Sequence, residues 1–260
     1  MLRWTLLALL VLSGCVRSDF NLATQQEEYT FTSTEKEVAM GRKLARRVQH
    51  ELAVTADEPM QERVRTIGAH LVAVCDRKDL LYTFTVVNDK EVNAFSLPGG
   101  YVFLNDGLIK KVSSDDELAG VIAHEVAHIA ARHAIKRYES SVGMQIIQLA
   151  TLAARQGNMA GGLSVAMQAA QLAYARQDEL EADQLAVKYM RAADYDPHAM
   201  LTFLEKIHEI DQDKTAYLPR GVVRPQYGMT HPYVPERIRA VKEALYGVAD
   251  YIDYLNSPQQ

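Results

Sequence analysis

His124, Glu125 and His128 stand in the order His-Glu-x-x-His, a spacing at which two imidazoles and a carboxylate can serve one metal ion. In a helix, residues four apart lie about 40° apart around the axis and about 6 Å along it. Both imidazoles then reach a common ion while Glu125 sits beside them, close enough to act on a water at the metal. The stretch carrying them is apolar, with Leu118, Val121, Ile122, Val126, Ala127 and Ile129. Polar groups in so buried a helix are costly without a metal or other partners. A site therefore accounts for them better than a solvated polar face does.

A catalytic zinc takes three protein ligands and keeps a fourth position open. A metzincin continuation needs Gly at 131 and His at 134, where this chain has Ala131 and Ala134. In a continuous helix His133, nine residues past His124, points away from the site. The third ligand must come from elsewhere, and Glu179 is the best candidate. It shares a helix face with Asp183, so one carboxylate can bind metal while the other orients a ligand histidine. Glu181 falls on the other side of that helix. Taken alone, this acidic cluster reads as a solvated face.

The elements that must position these groups can be traced along the chain. Residues 1–14 have Arg3, a short apolar run from Trp4 to Leu12, and small residues before Cys15. The run is too short to span a bilayer and fits a signal peptide. Leu12-Ser-Gly-Cys15 resembles a lipobox, which makes Cys15 the lipidation site; a plain signal peptide or a buried apolar segment are the other readings. Residues 15–33 read as a lipidated terminus and polar tether, and 34–260 as one domain. Thr34 with Glu37 caps a first helix whose apolar positions are Val38, Leu44, Val48 and Leu52. Asp57-Glu58-Pro59 opens a second, to about Val74. Strands follow at 81–87, 92–97 and 101–104, with Pro98-Gly99-Gly100 as a turn. Ser114 and Glu117 cap the metal helix, which can run to about Tyr138. Helices are then expected over 142–155 and 163–192, from Asp196-Pro197, and from Pro235 to about Tyr246. The fold class is α+β, mostly helical, with a small β-sheet beside the His-Glu-x-x-His helix.

The whole chain has 28 Lys+Arg against 33 Asp+Glu, and loss of the leader removes one more positive charge. Without a basic block, nucleic acid is not an expected partner. If Cys15 carries lipid, Cys75 is a lone thiol packed as a small apolar residue, and no disulfide framework exists.

Four motifs in order resemble metallopeptidase family 48, the group of HtpX and the CaaX prenyl protease. They are Asn93-Ala-Phe-Ser-Leu-Pro-Gly-Gly-Tyr101, Asp116-Glu-Leu-Ala-Gly-Val-Ile-Ala-His124-Glu-Val-Ala-His128, Glu179-Leu-Glu-Ala-Asp183, and Thr230-His231-Pro232 followed by Glu236-Arg237-Ile238. Size and lipobox make the chain look closest to small lipoprotein members, and to the catalytic half of a member with a repeat domain. The resemblance implies a zincin-like, gluzincin-type domain with one zinc ion held by His124, His128 and Glu179. It implies Glu125 as catalytic carboxylate, Asp183 in a supporting or proton-donating role, and His231 near the metal. Ala175 departs from the serine that family members often carry before the arginine matched by Arg176.

The implied function is a zinc endopeptidase for misfolded or misassembled envelope proteins. The segment 92–104 would bind substrate as an added strand, with Asn93 anchoring its backbone. Val16 after the lipidated cysteine resembles outer-membrane lipoproteins facing the periplasm. Expected partners are unfolded substrates, the membrane through the lipid, and envelope proteases or chaperones. The alternative is a zinc-stabilised chaperone or binding module with little hydrolysis.

Overall fold

The computed structural model describes residues 17–141, 176–215 and 231–256. The leader, Cys15, the expected helix over 142–155, the first part of that over 163–192 and Thr230 lie outside the described residues. Among the described residues, no helix is long and apolar enough to cross a membrane.

Within the segment expected as a polar tether, residues 17–30 form a hairpin, in which β1 (Arg17–Asn21) pairs antiparallel with β2 (Gln26–Thr30). Its polar residues have partners on the domain. Asn21 Nδ2 donates to Ala130 O at 3.3 Å, Lys136 Nζ lies 2.7 Å from Glu28, and Thr30 Oγ1 donates to Glu139 at 2.6 Å. The hairpin is thus anchored by hydrogen bonds, which an apolar periodicity does not register.

Helix α1 (Thr34–Glu51) begins at the expected residue but is capped one residue earlier, by Ser33 accepting from Lys36 N. Glu37 does not reach back to the helix start. Its buried carboxylate takes Arg77 on both oxygens at 2.9 and 2.8 Å, Arg132 at 3.3 Å and Gly99 N at 3.1 Å. Helix α2 (Glu58–Val74) opens as expected on Asp57, which accepts from Met60 N.

The sheet has the order β3-β5-β4, with β3 (Thr83–Val87) parallel to β5 (Tyr101–Asn105) and β4 (Ala94–Leu97) antiparallel to it. Alternation divides its side chains between two layers. Val87, Leu97 and Phe103 meet α1, while Val86, Ala94, Val102 and Leu104 join the main core. Gly41 lets α1 settle on the β4–β5 turn, since a Cβ there would stand 1.7 Å from Pro98 O. In that turn Gly99 and Gly100 hold φ of 78° and 99°, which side chains resist.

A short helix α3 (Asp106–Ile109) leads to α4 (Asp115–Ala130), capped by Ser114 accepting from Glu117 N. Every residue of α4 from Glu117 to Ala130 is buried. The helix stops earlier than Tyr138, because Arg132 takes φ 57° before residues 133–141 resume a helix. Helices α5 (Arg176–Ala192), α6 (His198–Thr215) and α7 (Val234–Asn256) complete the described fold, with a break in α7 at Gly247. Cys75 is a buried free thiol.

Candidate metal centre

Helix α4 turns His124, Glu125 and His128 towards α5, and the three are 0–1 % exposed. On the same helix, Gly120 leaves room for Met200 of α6, whose Cα would lie 3.2 Å from an added Cβ. Helix α5 brings Glu179 and Asp183 to the same place, and His231 enters just before α7; all three are fully buried.

Four side chains converge. His124 Nε2 lies 3.0 Å from His128 Nε2, 3.2 Å from His231 Nδ1 and 3.4 Å from Glu179 Oε2. Glu179 Oε1 lies 3.5 Å from His128 Nε2 and 3.3 Å from His231 Nδ1. Metal–nitrogen bonds of about 2.0–2.1 Å in a tetrahedron separate the donors by roughly 3.3 Å. The group therefore has the spacing of a tetrahedral shell, and the donors suit a divalent ion such as zinc. Both Glu125 oxygens and Glu179 Oε2 are buried without an aligned hydrogen bond, as expected of atoms kept for a ligand or a reactant.

Hydrogen bonds orient the rings. His124 Nδ1 is 2.9 Å from Asp183 Oδ1, so the Nδ1 proton donates to the carboxylate and Nε2 faces the group. His231 Nε2 is 3.3 Å from Ala94 O and 3.2 Å from Glu125 Oε1. Both are acceptors, so Nε2 carries the proton and Nδ1 is the free donor atom.

Charge follows the same plan. Burial opposes ionisation of Glu179, yet His231, Arg237, His124 and His128 hold it well below the usual carboxylate range. Burial likewise opposes a charged Asp183, but Arg237 and His124 keep it low. Burial and neighbouring His124 push His128 well down, leaving it neutral. Burial and Arg237 disfavour a cationic His124, but Asp183 and Glu179 outweigh them and raise it to about 9. A metal entering this group must displace that proton.

The expected residues His124, Glu125, His128, Glu179, Asp183 and His231 are thus brought together. Asn93 is not in the ring; its backbone O accepts from Asn105 N at 3.0 Å beside Ala94, and its side chain is half-buried. Two groups escaped residue-level reasoning. Arg237 grips Asp183 with both Nε and Nη2, at 2.8 and 2.7 Å, and sets Nη1 3.1 Å from Glu179 Oε2. A signal existed, since Arg237 shares the buried face of Val234 and Val241 on α7. His133 does not point away: its Nδ1 lies 2.8 Å from His128 Nδ1, and its Nε2 2.9 Å from Glu181. The left-handed turn at Arg132, rather than a helix continuous from His124, sets its direction.

With that geometry in hand, comparison with known proteins gives a consistent answer. The model of Peptidase family M48 matches residues 58–245. The chain is 29% identical over 238 residues to the beta-barrel assembly-enhancing protease of Yersinia pestis, covering 86% of this chain and 48% of that protein. It is 28% identical to the Escherichia coli protein of that name, covering 78% and 42%. The mitochondrial metalloendopeptidase OMA1 of Schizosaccharomyces pombe is 32% identical over 184 residues, covering 70% and 52%. The chain spans about half the length of these relatives. The match covers α2 through the first half of α7 and every residue of the ring, and the chain belongs to peptidase family M48.

Proposed function

We propose that this chain is a zinc-dependent endopeptidase acting on misfolded or misassembled envelope proteins. The observation that carries the reading is the buried ring of His124, His128, Glu179 and His231 with the unbonded Glu125 carboxylate beside it. Zinc bound by these residues supplies Lewis acidity, making water a nucleophile near neutral pH and polarising an amide carbonyl. Glu125 takes the proton of the attacking water and delivers it to the leaving amine. Asp183 fixes His124 in the tautomer whose Nε2 faces the ion. The outer edge of β4 pairs with no strand among the described residues and Ala94 O lies beside His231. An extended substrate backbone adds there, with Asn93 at its entrance.

The names of the relatives support an envelope substrate, and the leader with Cys15 supports a lipid-anchored chain at the outer membrane, facing the periplasm. Unfolded proteins, together with envelope proteases or chaperones, are its partners in this reading. The test is Glu125→Gln in the full chain. Zinc content should stay at one per chain while casein cleavage falls by about 10²–10⁴-fold. Wild-type turnover in the metal-loaded variant would falsify the assignment.

A second reading has one observation in its favour. His231 closes the ring with a fourth protein donor, and closed shells characterise structural rather than catalytic zinc. Such a site suits a zinc-stabilised chaperone module, or an enzyme held latent by His231. His231→Ala distinguishes these: higher basal cleavage marks latency, lost cleavage with zinc retained marks a role in the reaction. Absence of cleavage in both proteins favours the chaperone.

A further inference from the structure

His128 presents Nε2 to the ring, 3.0 Å from His124 Nε2, and its other nitrogen must find a partner in a fully buried place. That partner is His133, itself 0 % exposed. Helix α4 ends at Ala130, Arg132 reverses the chain at φ 57°, and His133 comes back beneath His128 with ring planes 71° apart. Arg132 is held in this conformation by its guanidinium, which donates to Thr32 O at 2.8 Å and to Glu37 at 3.3 Å. The nitrogens face each other at 2.8 Å, and the far nitrogen of His133 meets Glu181 of α5 at 2.9 Å. Asp178 stands 3.9 Å from the same nitrogen, too far for a hydrogen bond.

Among neutral rings, one proton arrangement satisfies these contacts when Nε2 of His128 binds a metal. The proton of His128 then sits on Nδ1 and donates to Nδ1 of His133. That nitrogen must accept, so the His133 proton sits on Nε2 and donates to Glu181. The tautomers are set by the carboxylate end. We propose that Glu181, His133 and His128 form a hydrogen-bonded relay in which Glu181 and His133 are positioning residues, locking the ring and tautomer of His128 for metal binding. It parallels the Asp183 contact to His124, so each histidine of the motif has its own carboxylate, one direct and one through a second imidazole. The inference rests on the metal reading of the ring.

The experiment measures zinc affinity of the full chain by competition with a chromophoric chelator, and the visible spectrum of the cobalt-loaded protein. Wild type is set beside His133→Leu, His133→Gln and Glu181→Gln. The Leu variant removes both hydrogen bonds and should bind zinc about 10–100-fold more weakly, with a shifted cobalt spectrum. The Gln side chain offers one acceptor and one donor at nearly the separation of the ring nitrogens, so His133→Gln should recover most of that loss. Glu181→Gln keeps an acceptor without the charge and should lose less, within about 10-fold. Glu181 is part-exposed, so this variant tests the relay even if His133→Leu fails to fold. Wild-type affinity and spectrum in folded His133→Leu or in Glu181→Gln overturn the relay. Equal losses in the Leu and Gln variants overturn it in favour of ring shape alone. A wild-type chain that binds no zinc overturns the metal reading, and the relay with it.

Discussion

Arg237 places a fully buried guanidinium between two buried carboxylates, and its worth depends on what else neutralises them. It forks onto Asp183 and lies 3.1 Å from Glu179. Removing one partner of a buried ion pair costs about 3–5 kcal/mol, because the remaining charge has nowhere to go. A metal on Glu179 supplies positive charge at the same place, so the loss should depend on metal. Arg237→Gln is expected to destabilise the chelator-treated protein by about that amount in urea unfolding, and the zinc-loaded protein by clearly less. Equal losses in the two states would separate Arg237 from the metal site. At this scale much was legible. His124, Glu125 and His128 could be read from spacing, because helical geometry alone brings them together. Glu179 is legible as the best remaining carboxylate, on the face it shares with Asp183. His231 is legible only through family resemblance, since a histidine before a helix has no spacing that ties it to residues a hundred positions away. The direction of His133 is not legible, because a non-glycine residue, Arg132, ends α4 in the left-handed region; side-chain hydrogen bonds hold it there, and no glycine marks the stop.

The elements themselves follow their caps. Ser114 starts α4 as its hydroxyl predicts, while the Glu117 side chain reaches one residue past the cap, to Ser113 N. Its carboxylate accepts from Ser113 N at 2.7 Å, Lys206 Nζ at 2.7 Å and Thr202 Oγ1 at 3.2 Å, tying α4 to α6. Burial opposes its charge, but Lys206, the Ser113 N–H and Thr202 prevail and hold the carboxyl below its ordinary value. A group lowered on folding stabilises above its unfolded value, about 4.3 for Glu, and loses that contribution as pH falls through the folded value. Glu117→Gln should therefore cost about 1–2 kcal/mol at pH 7. The gap to wild type in thermal unfolding should narrow below about pH 4. A gap constant from pH 7 to 3 would show that the charge is not what matters. Strand positions and the Pro98-Gly99-Gly100 turn were legible from alternation and glycine. The N-terminal hairpin was not, because Asn21, Glu28 and Thr30 dock through polar contacts to Ala130, Lys136 and Glu139 that leave no apolar stripe.

Across the molecule, the candidate ligands come from α4, α5 and the segment before α7, with His124 and His231 107 positions apart. One ion bound by them cross-links three elements, so metal affinity becomes folding stability. A ligand present at a thousand times its dissociation constant stabilises by about 4 kcal/mol. In a chain of this size each kcal/mol is worth about 2–4 °C. Stripping the metal with chelator should thus lower the melting temperature by roughly 8–16 °C, and returning zinc should restore it. The effect should also have a place. Hydrogen exchange should quicken in α4, α5 and the start of α7, which the ring ties together. Amides of the β1–β2 hairpin should change little, because its anchors at Ala130, Lys136 and Glu139 do not involve the ring. A protein stripped of metal that melts unchanged would mean that the ring is held by Arg237 and the core alone. Faster exchange spread evenly over the hairpin and all helices would mean that the metal stabilises the fold as a whole rather than through these three elements.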